Sequence, residues 1–125
     1  MSWAKPVIRP ATREDVAKFS PESLTRTFSG VVGEVDGEIV AFGGFAHIGG
    51  RVHGFCEFKP EARRYRVLLH RTAVAMLRTE LTKRRFIYAA PEADLPVAEA
   101  WLLRLGFKRL DEVPGNLWRI SSKAL

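Results

Sequence analysis

The chain has 125 residues, 27% of them charged and 46% hydrophobic, and its 20 Lys and Arg against 14 Asp and Glu leave a net charge of +6. That length suits one core rather than two, so a single domain over residues 1–125 is expected. The single cysteine, Cys56, excludes an internal disulfide, three scattered histidines suit no structural zinc site, and no apolar run approaches membrane-spanning length.

The opening MSWAKPVIRP has no apolar leader stretch, so a cytoplasmic protein is expected, with no membrane partner. A short strand is predicted around Val7 to Arg9, stopped by Pro10. Thr12 is then the N-cap of a helix to about Phe19, with Asp15 completing an imperfect capping box. PESLTRTF reads equally as a short helix or a loop. From Gly30 the pattern turns to strands, two of them joined by Asp36-Gly37, a favoured hairpin turn. Gly49-Gly50 makes the next turn, and RVHGFCEF the next strand.

Pro60 and Glu61 open the longest predicted helix, to about Glu80, with Ala62, Tyr65, Leu69, Ala73 and Met76 on its inner face. Arg64, Arg71 and Arg78 repeat on another face, as a solvated stripe does. Phe86 to Ala90 reads as a buried strand. PVAEAWLLRLGF reads as an amphipathic helix stopped by Gly106. FKRLDEV and NLWRI form a closing strand pair around Pro114-Gly115. The class is α+β, with a central sheet flanked by helices.

Three local patterns in this order, IRPATREDV, FKPEARR and AEAWLLRLGFKRL, resemble the GCN5-related N-acetyltransferase (GNAT) superfamily over essentially the whole chain. KPEARRY followed by RLGF also resembles a group of short GNAT-like proteins from phages and prophages. The resemblance implies a mixed sheet, an antiparallel meander followed by a parallel pair of strands that splay apart. It also implies acetyl-CoA as cofactor and an amine, on a small molecule or a protein, as acceptor.

Residue by residue, the resemblance puts the backbone of Cys56 and Phe58 against the pantetheine arm. It puts Arg63, Arg64, Arg66, Val67 and Leu68 around the pyrophosphate. The family pattern there is Q/R-x-x-G-x-G/A. This chain keeps the basic position at Arg63 but has Arg66 and Leu68 where small residues belong. Three arginines near the positive end of a helix dipole cost about 0.3–1 kcal/mol each unless an anion sits among them. Arginine stems also reach water easily. An anion site and a solvated cluster therefore both stand. The tyrosine that many family members use to reprotonate the thiolate is replaced by Leu102.

For a general base, Glu57 is the first candidate and His53 the second, on one face of the same strand by its two-residue period. Cys56 points the other way and reads as a small core residue. The other function class is a GNAT-like binding or assembly module without catalysis. It is separated from the enzyme by whether the cofactor slot is open or plugged by Arg66, Leu68 or Trp101. Only net charge argues for nucleic acid, with no base-reading motif beside it, so no such partner is expected.

Overall fold

A computed structural model describes residues 6–19, 28–91 and 96–124. The strands are β1 (Val7–Pro10), β2 (Phe28–Val35), β3 (Glu38–Ile48), β4 (Arg51–Phe58), β5 (Phe86–Ala89), β6 (Lys108–Arg109) and β7 (Trp118–Ser121). The α-helices are α1 (Arg13–Phe19), α2 (Arg66–Leu81) and α3 (Pro96–Leu105). All seven strands form one sheet in the order β1-β2-β3-β4-β5-β7-β6, antiparallel except where β4 meets β5. This is the mixed sheet that the resemblance implied. PESLTRT, the ambiguous segment, lies outside the described residues.

Local chemistry accounts for the meander. Asp36 and Gly37 both take positive φ, as the two-residue hairpin turn requires, and Gly49 and Gly50 repeat the device. Gly30 and Gly44 face each other across β2 and β3. A Cβ on Gly44 would come within 2.1 Å of the Ser29 carbonyl oxygen, so the strands approach too closely for any side chain there. At α1 the capping box forms in full: the Thr12 amide donates to Asp15 at 2.7 Å, and the Asp15 amide donates to Thr12 Oγ1 at 3.2 Å. Helix α3 ends in a Schellman motif, Phe107 N–H to Leu102 C=O and Gly106 N–H to Leu103 C=O, with Gly106 at φ 105°.

The expected long helix from Pro60 is divided. Pro60–Tyr65 is a 3-10 turn, and the α-helix begins only at Arg66. The end of β4 is tied by the Lys59 amide to the Val40 carbonyl. The tighter turn that follows seats the small Ala62, 2% exposed, against Val40 and Ala41. Arg63 and Arg64 therefore precede the helix proper, and only Arg66 sits at its positive end.

The core has two sides. Leu77 and Leu81 of α2 and Leu105 of α3 pack with Val52, Ile87 and Ile120 on one face of the sheet. Strand alternation sends Phe42 and Phe55 to the other face, where they join Val32 and Val16 of α1. Trp118 is an ordinary core tryptophan, its indole N–H donating to Asn116 Oδ1 at 2.9 Å.

Candidate active site: the slot between the fourth and fifth strands

Strands β4 and β5 are bridged at a single pair, His53 and Tyr88. Beyond it β4 continues for five residues, Gly54 to Phe58, without a bridge to β5. The two strands splay there because β5 is only four residues long and Pro91 follows closely. Over the gap lies an apolar slot with a cavity of about 120 Å³. Gly54, Cys56 and Phe58 line it from β4, Leu69, Ala73 and Met76 from α2, and Trp101 and Leu102 from α3. Neither Arg66 nor Leu68 is among its lining residues. The slot is open, with Trp101 in its wall.

Trp101 is held from two sides. Its indole N–H donates to His70 Nδ1 at 3.0 Å, and its ring meets Phe58 edge to face at 5.4 Å. The sequence offered Trp101 only as a possible plug of the slot, and His70 only as one of three scattered histidines. The helical spacing of Trp101 and Leu105 was the available signal that Trp101 faces inward. Its partner on another helix was beyond reach.

Cys56 corrects an expectation. It is not a core residue but has solvent access along the slot. A narrow apolar slot can be open to solvent and still desolvate a charge. Its surroundings push the thiol pKa up to about 12, with the neighbouring Glu57 charge adding to the effect. The thiol is protonated at neutral pH and is no nucleophile.

His53 and Glu57 do share a face, opposite Cys56, as the register with Ala46 and Phe42 of β3 requires. They are four residues apart, roughly 13 Å along the strand, so they cannot serve the same proton. His53 is at the bridge, its ring 5.7 Å from that of Tyr88, while Glu57 is exposed near the outer end of β4.

The basic cluster is divided as well. Arg63 and Arg64 line a second cavity of about 530 Å³, facing Asp36 and Glu38 of the β2–β3 hairpin. Arg66 opens α2, its amide donating to the Arg63 carbonyl. Val67 and Leu68 follow in the first turn, 61% and 37% exposed, with no acidic residue beside them and no side-chain cap on the helix. An anion approaching that helix end would meet exposed backbone and one arginine, not a ring of three.

No family model matches the chain, and no curated protein matches it. Solved structures do. The ribosomal-protein-S18-alanine N-acetyltransferase of Escherichia coli superposes with a TM-score of 0.66 at 13% identity, covering 94% of each chain. A putative acetyltransferase from Salmonella typhimurium, solved with acetyl-CoA, gives 0.65 at 14% identity, again over 94% of each chain. A chimeric spermidine N-acetyltransferase from Vibrio cholerae gives 0.63 at 14% identity, over 96% of this chain and 97% of that one. The fold is that of the GNAT acetyltransferases. At these identities the likeness is one of fold, and it extends to the parallel β4–β5 pair on which the slot depends.

Proposed function

We propose that the protein is an acyl-CoA-dependent N-acyltransferase that passes an acetyl group from acetyl-CoA to an amine by direct attack. The observation that carries this reading is the open apolar slot beyond the single β4–β5 bridge. Support comes from the neighbours, one of them solved with acetyl-CoA and two named for amine acceptors, a ribosomal protein's alanine and spermidine. When bound, acetyl-CoA supplies a thioester: a C–N bond forms to the amine, the C–S bond breaks, one amine proton leaves and the sulfur takes up a proton.

The chain's own residues fit that cofactor. Gly54 to Phe58 offer a strand edge not bridged to β5, suited to the amides of a pantetheine arm, with Cys56 and Phe58 contributing backbone. Leu69, Ala73 and Met76 exclude water from the same space. At the outer end Arg66, with the amides of Val67 and Leu68, would hold the pyrophosphate, while Arg63 and Arg64 on the preceding 3-10 turn add only longer-range positive charge. An arm that entered there and ran inward along the unbridged edge of β4 would point its thioester toward the bridge. Along β4 the bridge lies at His53 rather than Glu57, and both side chains project to the face opposite the slot, so an amine that meets His53 as its base would approach the thioester from that face, through the parting of β4 and β5. Leu102 cannot reprotonate the sulfur, so water does so.

The test is to incubate the protein with acetyl-CoA and a panel of small and peptide amines, following thiol release and acceptor mass. Acceptor-dependent thiol release with gain of one acetyl group supports the reading. Cofactor binding without turnover on any amine would favour the second one, a non-catalytic binding or assembly module of the phage-related kind, which Leu102 in place of the tyrosine favours.

A further inference from the structure

One half of the sheet carries a charged face that the slot does not use. Because Val52, Ile87 and Ile120 point toward α2 and α3, the residues between them point away. His53, Tyr88, Arg119 and Lys108 therefore form a row across β4, β5, β7 and β6. The described helices lie elsewhere: α2 and α3 cover the opposite face, and α1 covers Val32 and Phe42. The rings of Phe86 and Tyr88 are half-buried platforms for arginine. Arg119 lies 4.2 Å from the Phe86 centroid, Arg85 5.9 Å from the same ring, and Arg51 4.8 Å from Tyr88.

A guanidinium held over an aromatic face by cation–π attraction keeps its N–H donors available to other partners. None of Arg51, Arg85, Arg119 or Lys108 pairs with a carboxylate among the described residues. The nearby acids stand apart: Asp111 is 4.0 Å from Arg109, and Glu57 lies four residues along β4 from His53. The row begins at the His53–Tyr88 bridge, directly across the sheet from the inner end of the slot.

We infer that this face docks an acidic peptide segment, and that the acceptor amine of the acyl transfer is carried on it. The inference rests on the acyltransferase reading for the amine and on the arginine row for the acid. Carboxylates match the planar N–H forks of arginine and are the natural anions for a row of them. The same cations lower the pKa of an incoming amine and so favour its nucleophilic neutral form. A polycationic acceptor such as spermidine is repelled.

The experiment uses a fluorescein-labelled peptide rich in Asp and Glu with one lysine. Its counterpart carries Asn and Gln in their place, and an oligo-thymidylate strand is the comparison polyanion. Fluorescence anisotropy is expected to show binding of the acidic peptide alone, weakened roughly tenfold or more between about 0.05 and about 0.5 M salt. Arg51→Gln/Arg119→Gln should weaken it about tenfold, while Arg71→Gln/Arg78→Gln on α2, with the same loss of charge, should not. Equal binding of the neutral peptide, tighter binding of the oligonucleotide, no binding, or indifference to the first pair of substitutions would overturn the inference. Both variants are checked by thermal melting. Titration of acetyl-CoA in the same samples reports separately on the acyltransferase reading. Cofactor bound without acidic peptide sinks the docking face alone, and the reverse sinks the acyltransferase.

Discussion

Cys56 is open to the slot and surrounded by apolar groups, and its chemistry follows the surroundings rather than the access. With its pKa pushed up to about 12, the thiol should react with iodoacetamide near pH 8 at least about tenfold more slowly than free cysteine. Acetyl-CoA should slow it further by filling the slot. Alkylation at the free-cysteine rate would mean that the slot is wet. For the two candidate bases, His53→Ala is expected to lower kcat/KM by about 10²-fold or more, and Glu57→Gln by less than tenfold. The reverse order in steady-state kinetics would move the thioester to the outer end of β4. The sequence made the shared face of His53 and Glu57 legible, because strand alternation is local. It could not say which of them sits at the bridge between β4 and β5, because that pairing joins residues more than thirty positions apart.

Among elements, the start of the chain is held by one ionic knot. Arg9 of β1 donates to Asp15 of α1 at 2.7 and 3.1 Å and also to Glu34 of β2. Bonds from Arg9, then from Thr12, hold the Asp15 carboxyl well below the usual carboxylate range. The folded protein thus binds this proton less readily than the unfolded chain does. The contribution of Asp15 is complete above about pH 4, the unfolded value, and is lost as pH falls through the lower folded value. Asp15→Asn should cost about 1–2 kcal/mol at neutral pH and flatten the acid limb of the stability profile, read by urea unfolding. An unchanged midpoint at pH 7 would show the knot to be decorative. The capping box, both hairpin turns and the Gly106 stop were readable because each is fixed within a few residues. The 3-10 turn at Pro60–Tyr65 was not, since proline opens either kind of helix. The choice depends on Ala62 packing against β3, which no local pattern encodes.

At the scale of the molecule, two unlike surfaces meet at the parting of β4 and β5: an apolar slot on the α2 side and a cationic face opposite. The slot was foreseeable only through resemblance, as an expected splay. Its openness depended on where Arg66 and Leu68 point, and they lie outside it. The cationic face was hidden in a net charge of +6 that sequence alone spread over the whole chain. Among the described residues no helix is long and apolar enough to cross a membrane.

The central claim is that the slot holds an acyl-CoA, and calorimetric titration of acetyl-CoA tests it most directly, with Gly54→Leu beside the native protein. A Cβ at Gly54 meets nothing closer than Ile87 at 3.6 Å, so the strand accepts a side chain whose remainder fills the slot. Native protein should bind with a Kd on the order of micromolar, and Gly54→Leu, folded by circular dichroism, should bind at least about a hundredfold more weakly. No binding by the native protein, or equal binding by the variant, would contradict the claim.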